Sequence, residues 1–202
     1  MIESCAVTFF RISHRTFEDG YQSLVPDDGV GLLGCETEPG EEPASFSLNC
    51  GRRSFSDVWK PQTMRWSEVR FNAPSDPHIK ADFPRTTGYL AVRSAARQIV
   101  EYLCGAYGEW LPIRSSDDEE MWIYNVLDRV DCLDSNRSQG QLFSSGDRYI
   151  TLREIVFRED AATDVPVFRI PQYPIALFCG DAFHDLVVNS GLTGLAFSTV
   201  AT

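Results

Sequence analysis

Short apolar runs separated by glycine and proline recur along the chain, and they predict a fold built mainly from short β-strands. The pattern is clearest in residues 166–202. There, the β-type runs 167–170 and 175–178 are separated by two prolines, which prevent one continuous strand. A helical pattern over 181–190 and a final apolar run at 195–197 follow. This part of the chain therefore predicts a strand–strand–helix–strand unit.

The predicted helix in this unit has a start signal and a stop signal. The side chain of Asp181 is suited to accept hydrogen bonds from the free N–H groups of a first helical turn. Gly191 predicts a left-handed helix end, a conformation that glycine adopts without strain. The apolar face that we expect to pack on the sheet consists of Ala182, Phe183, Leu186 and Val187.

A second strand–helix–strand unit is predicted over residues 89–113, with Ser94 as the candidate cap and Gly105 as the stop signal. Corresponding positions in the two units are 86 residues apart, for example Val92 and Phe178. Two explanations fit this spacing. One is an internal duplication, and the other is the common skeleton that any two strand–helix–strand units share.

The rest of the chain contains further strand patterns, at residues 5–12, 66–71, 121–127 and 149–157. Between residues 20 and 88 lie seven of the eleven prolines and half of the fourteen glycines, so loops and turns should dominate there. We therefore predict an α+β fold in which a mixed sheet is combined with few helices, including the two similar strand–helix–strand units in the C-terminal half. A strand- and loop-rich region, residues 1–88, should pack on an α+β region, residues 89–202, to give one compact unit.

The charge of the chain bears on its partners. The net charge is −11, which opposes binding to nucleic acids and anionic membranes and attracts a basic protein. No apolar run approaches the ~20 residues that would span a bilayer. The first residues carry a glutamate where a secretory signal would carry lysine or arginine. We therefore expect a cytoplasmic protein that does not associate with membranes.

Acidic clusters are the candidate binding residues. Four consecutive acids lead into the strand pattern at 121–127, and two acidic pairs precede residue 43. The four acids are either a solvated turn or a contact patch for a cationic partner. The candidate binding residues are Asp117, Asp118, Glu119, Glu120, Asp27, Asp28, Glu41 and Glu42.

No catalytic or metal-binding pattern is present in the sequence. Cys179 and His184 are close, but the expected strand end and helix favour packing over a nucleophile–base pair. The six cysteines lack the spacing of a zinc site, and the reducing cytosol disfavours disulfides. Asp128, Asp131 and Asp134 lack the glycine and the distal glutamate of a calcium loop. We predict no catalytic residues, no metal and no cofactor.

Three stretches together resemble the immunity protein 11 family of bacterial polymorphic-toxin systems. They are the unit at 89–113, the run at 122–134, and the ending that closes in Gly-Leu-Thr-Gly-Leu-Ala-Phe at 191–197. The resemblance covers about residues 82–200, and residues 13–81 match only loosely. It implies a protein that binds a cognate toxin domain in the producing cell and neutralises it without catalysis.

The resemblance and the composition agree on the kind of partner. The acidic surface suits a basic toxin domain such as a nuclease. Two other functions fit the sequence: a structural or adaptor module of a secretion system, and an unrecognised hydrolase. The sequence carries no indication of the oligomeric state.

Overall fold

The computed structural model describes residues 7–15, 21–26, 54–57, 59–67, 79–86, 89–161 and 163–202. These residues form eleven strands and two helices. In chain order they are β1 Phe9–His14, β2 Ser23–Pro26, β3 Thr63–Ser67, β4 Leu90–Arg93, α1 Ser94–Cys104, β5 Gly108–Ser115, β6 Glu120–Val126, β7 Gln139–Leu142, β8 Tyr149–Glu154, β9 Val167–Ile170, β10 Tyr173–Gly180, α2 Asp181–Asn189 and β11 Leu195–Val200.

The described strands form three sheets. A four-stranded antiparallel sheet has the order β11-β1-β10-β9, and a five-stranded sheet has the order β2-β3-β5-β6-β4. The five-stranded sheet is mixed, because β3 and β5 are parallel and its other neighbours are antiparallel. The third sheet is the hairpin of β7 and β8. The predicted α+β class, with a mixed sheet and few helices, is confirmed.

Two strand–helix–strand units are present, as predicted, and they share one topology. In β4–α1–β5, the two strands are separated by β6, which is antiparallel to both. In β10–α2–β11, the two strands are separated in the same way by β1. Each unit is therefore a split β-α-β motif. The central strand of the first unit, β6, follows that unit in sequence, whereas the central strand of the second unit, β1, comes from the N-terminal part of the chain. A common origin of the two units by duplication stays a hypothesis.

Strands from the N-terminal region enter both large sheets. β1 lies between β10 and β11, and β3 lies beside β5. Both large sheets thus contain strands from before and after residue 88. The division of the chain at that residue stays a prediction.

The central core lies where the two units meet. Alternate residues of β10 point to opposite faces of their sheet, so that Leu177 and Cys179 join the central core while Phe178 joins the core on the other face. The central core also takes Val92 from β4 and residues from both helices. A third cluster covers the opposite face of the five-stranded sheet and includes Phe55. Each large sheet is thus covered on both faces.

The helix starts differ from those expected. Neither α1 nor α2 has a side-chain N-cap, and their cap positions are Arg93 and Gly180. The Asp181 carboxylate instead accepts a hydrogen bond from the Thr8 N–H at 2.9 Å, which connects α2 to the start of β1. The Ser94 hydroxyl donates to the Glu120 carbonyl at 2.7 Å. Both side chains therefore form tertiary contacts in place of caps.

The helix ends and the buried face were predicted in part. Gly191 has φ +66°, which confirms the left-handed end of α2, whereas Gly105 has φ −60° and closes α1 without it. Phe183 and Val187 are the buried residues of α2. Residues 183 and 187 are four positions apart, so they lie on the same face of α2, and this face packs on the core. Leu186 lies at the border of that face and is half-buried, and Ala182 lies outside it and is exposed.

Candidate functional site

The four consecutive acids, predicted as a solvated turn or a contact patch, occupy the tight turn after β5 and the first residue of β6, and we call them the acidic turn (Asp117, Asp118, Glu119 and Glu120). The Ser115 N–H donates to the Glu119 carbonyl at 2.9 Å, and the Ser115 hydroxyl accepts from the Glu119 N–H at 3.1 Å. Asp118 has φ +65°, a left-handed conformation that aspartate tolerates better than most residues. The turn therefore fixes the backbone from which the four carboxylates project.

Asp117 is held by three side chains from separate parts of the chain. Lys80 forms an ion pair with it, the Ser115 hydroxyl donates to it, and the Trp66 indole N–H donates to it at 3.2 Å. The Lys80 ammonium also lies over the Trp66 ring, 5.3 Å from its centroid. The hydrogen bond from Lys80, followed by the one from Ser115, holds the pKa of Asp117 well below its usual range. Asp117 is thus a charged, oriented carboxylate beside an aromatic ring.

Two further acids of the turn also have intramolecular partners. The Asp118 carboxylate is 2.7 Å from Arg114, and the Glu119 carboxylate is 2.6 Å from Arg93. Glu120 makes no ion pair among the described residues. Among the described residues, the acidic turn therefore presents one carboxylate without a direct ion pair and three that a partner's cations would have to share with Lys80, Arg114 and Arg93.

The acidic turn continues into α1 through a chain of contacts. Ser94 donates to the Glu120 carbonyl, and the Ser94 hydroxyl accepts from the Trp122 indole N–H at 3.3 Å. The Arg97 guanidinium lies over the Trp122 ring, 3.7 Å from its centroid, and pairs with Glu101 at 2.6 Å. We call the whole the acidic–aromatic surface: the acidic turn with Trp66, Lys80, Arg93, Arg97, Glu101, Arg114 and Trp122.

The charge of the acidic–aromatic surface is nearly balanced. It has five acids and four basic residues, a net charge of −1. The surplus lies elsewhere: residues 16–53 contain eight acids and two arginines, which account for −6 of the total of −11. Asp27, Asp28, Glu41 and Glu42 belong to that stretch and lie outside the described residues. The structure thus joins the acidic turn to aromatic residues and to the basic side chains that offset it.

The sequence analysis did not identify the residues that offset the acidic turn. Arg114 precedes Asp118 by four positions, a spacing that can be recognised locally. Lys80 and Arg93 are 37 and 26 positions from their acidic partners, so only the fold brings them together. A list of acids taken from sequence alone therefore overstates the charge that a partner would meet.

Cys179 and His184 occupy packing positions. Cys179 is fully buried in β10, and burial raises the pKa of its thiol. The His184 ring stacks on Phe10 with centroids 4.0 Å apart and makes a T-shaped contact with the Phe197 ring, with centroids 5.0 Å apart. Its Nδ1 lies 2.8 Å from the Asp185 carboxylate. These contacts agree with the interpretation of both residues as packing residues.

No three His, Cys, Asp or Glu side chains among the described residues are placed to hold a metal ion. Neither of the two helices described has the length and apolar character needed to cross a bilayer.

Comparison with known proteins identifies one family. A family model described as "Immunity protein family (Imm11)" matches residues 60–202. The match begins before the resemblance seen in the sequence and includes the whole acidic–aromatic surface. No curated protein matches the chain.

Proposed function

The chain belongs to the Imm11 immunity protein family, and we propose that it binds a cognate antibacterial toxin in the cytoplasm of the producing cell and blocks it by occlusion, without catalysis. The observation that carries this proposal is the family match over residues 60–202, which is most of the chain. Occlusion requires a surface and no reactive group, since an immunity protein can act by covering the toxin's own site.

The charge distribution supports a basic toxin domain, such as a nuclease, as the partner. Residues 16–53 carry a net charge of −6, and they precede the part of the chain that matches the family. A concentration of one charge sign increases the rate of encounter with the opposite sign. In this proposal Asp27, Asp28, Glu41 and Glu42 steer the toxin, and residues outside the family match contribute to the choice of toxin.

The acidic–aromatic surface is the proposed contact that holds the toxin after encounter. Tryptophan and arginine are the residues that most often dominate binding energy at protein interfaces, and Trp66, Trp122 and Arg97 are all partly accessible here. The partner's lysine or arginine side chains would share Asp117 and Glu119 with Lys80 and Arg93. The pre-formed ion pairs hold the carboxylates in place, which lowers the entropy that binding must offset.

The test uses the product of the gene adjacent to this one as the candidate toxin. Tagged protein should capture that product from a lysate, and co-expression should rescue cells that the product kills. The complex is then unfolded, and the toxin is separated and refolded. Recovery of active toxin with unchanged mass is the result expected of occlusion, whereas a cleaved or modified toxin would show catalysis. Failure of both capture and rescue would reject the adjacent product as the partner and the proposal with it.

A further inference from the structure

The hairpin of β7 and β8 has an unpaired edge. All four residues of β7 are exposed, and among the described strands β7 pairs only with β8. Among the described residues, no strand therefore pairs with the outer backbone groups of β7. Such an edge can accept a strand of another chain through backbone hydrogen bonds.

The β7 edge lacks the features that usually block strand addition. Proteins protect exposed edges with charged residues, proline or bulges on the edge strand. β7 reads Gln-Gly-Gln-Leu and contains no charge and no proline. The register between the two strands shifts twice, and each shift places the extra residue, Arg153 or Ile150, on β8. The outer strand is therefore regular.

Exposed apolar side chains lie on the same hairpin. The exposed fractions are 45% for Leu142, 51% for Phe143 and 40% for Ile150. These three account for nearly half of the large apolar side chains that are exposed among the described residues. A partner that added a strand to β7 would also remove apolar surface from water.

The charge of the hairpin indicates which partner fits. Residues 139–154 contain Arg148, Arg153, Asp147 and Glu154, so their net charge is zero in a chain of net charge −11. A basic partner gains no attraction from a neutral surface. A second copy of this chain carries the same net negative charge. Two copies repel each other least where they meet through surfaces without net charge, such as this hairpin.

We propose that β7 is the edge at which two copies of this chain pair antiparallel across a twofold axis, which joins the two hairpins into a four-stranded sheet. An antiparallel strand pair is self-complementary, so the contact closes at two copies. Leu142, Phe143 and Ile150 supply the apolar part of the interface. The surface is small, so the dimer should be weak and should form only at high protein concentration.

The test is sedimentation equilibrium of the full chain without toxin, from about 5 µM to about 500 µM. The mass should rise from 22.7 kDa towards twice that value. Higher salt, from about 0.05 to about 0.5 M, should strengthen the association, because screening reduces repulsion between two acidic copies. A strand supplied by the toxin in place of a second copy would leave the free protein monomeric at every concentration, and that result would overturn the proposal.

Two variants locate the interface. Leu142→Asp combined with Phe143→Asp places like charges at the twofold contact and should weaken association more than about tenfold. Val188→Asp is the control for a negative charge added elsewhere, because Val188 is 54% exposed on α2, whose buried residues belong to a different core cluster from those of the hairpin. This variant should dimerise like the parent. Circular dichroism melts confirm that both variants are folded. Equal effects of the two variants would overturn the proposal, as would normal dimerisation of a folded double variant.

If the double variant does not fold, hydrogen exchange of the parent decides the question. The outer amides of β7 should exchange more slowly at about 500 µM than at about 5 µM. Exchange rates that do not depend on concentration would overturn the proposal.

Discussion

Asp82 and Thr193 hold each other through three hydrogen bonds although they are 111 positions apart. The Asp82 carboxylate accepts from the Thr193 N–H at 2.9 Å and from its hydroxyl at 2.7 Å, and that hydroxyl accepts from the Asp82 N–H at 3.1 Å. The adjacent Phe83 N–H donates to the Thr193 carbonyl at 3.0 Å. These contacts give a structural reason for the threonine in the Gly-Leu-Thr-Gly-Leu ending.

Loss of the threonine hydroxyl should destabilise the protein. Thr193→Val keeps the shape of the side chain but leaves the Asp82 carboxylate and N–H each without one partner, and we expect a cost of about 1–3 kcal/mol in the free energy of unfolding. Thr193→Ser keeps the hydroxyl and is the control. Urea unfolding of both variants measures the difference. Equal stabilities of the two variants would show that the hydroxyl contributes nothing.

The two glycines of the same ending should differ in their tolerance of alanine. Both have positive φ, +66° at Gly191 and +100° at Gly194. A Cβ atom at Gly191 would meet nothing within 4 Å, whereas one at Gly194 would lie 2.2 Å from the Phe83 carbonyl oxygen. Gly191→Ala should therefore cost about 1 kcal/mol, from backbone conformation alone. Gly194→Ala should cost clearly more, and thermal melts that show equal losses would contradict this account.

His14 should make stability depend on pH in the mildly acidic range. Burial, assisted by the nearby Arg85, lowers the pKa of His14 from 6.5 to about 4. The unfolded chain therefore takes up a proton below pH 6.5 that the folded protein excludes until about pH 4, and stability falls as the pH drops through that window. Between pH 7 and pH 5 the loss should be about 2 kcal/mol.

The matched variant for this prediction is His14→Gln, which cannot titrate. Urea unfolding at pH 7, 6 and 5 should show a smaller loss of stability in the variant than in the parent. Parallel losses in both proteins would mean that other groups produce the pH dependence.

The sequence indicated most strands because their apolar residues alternate or form short runs. Strands β8 to β11 fall where such runs were found, although β10 starts at Tyr173 and includes Pro174, near which its register with β9 shifts. The hairpin strand β7 was missed because Gln-Gly-Gln-Leu has no apolar pattern, and its pairing with β8 alone defines it. The first strand was expected at residues 5–12. The structure places β1 at Phe9–His14, because these residues pair with β10 and β11.

The sequence predicted the candidate site less completely than it predicted the fold. The acids were recognised from composition, but Lys80, Arg93 and Trp66 are remote in sequence and reach the acidic turn only through β3, β4 and the segment 79–86. Whether an acid is free to attract a partner depends on such neighbours. Sequence therefore identified the chemical character of the surface and not its balance of charge.

The two predicted acidic sets should differ in their effect on toxin association, because basic side chains offset three acids of the acidic turn. One variant replaces Asp27, Asp28, Glu41 and Glu42 with Asn or Gln, and the other replaces the acidic turn in the same way. Both lose four negative charges, so each is the control for the other in net charge.

We expect the first variant to lower the association rate constant with a basic toxin more than the second, since Lys80, Arg93 and Arg114 already offset three acids of the turn. For the parent, the rate constant should fall as salt rises past ~0.15 M, where the Debye length is about 8 Å. The acidic-turn variant should mainly raise the dissociation rate constant, because it frees Lys80, Arg93 and Arg114 and loses the oriented carboxylates. Stopped-flow mixing with the purified toxin measures both constants. If neither variant changes the association rate constant, the acidic residues are only a solvated surface and the toxin is recruited by contacts that do not depend on charge.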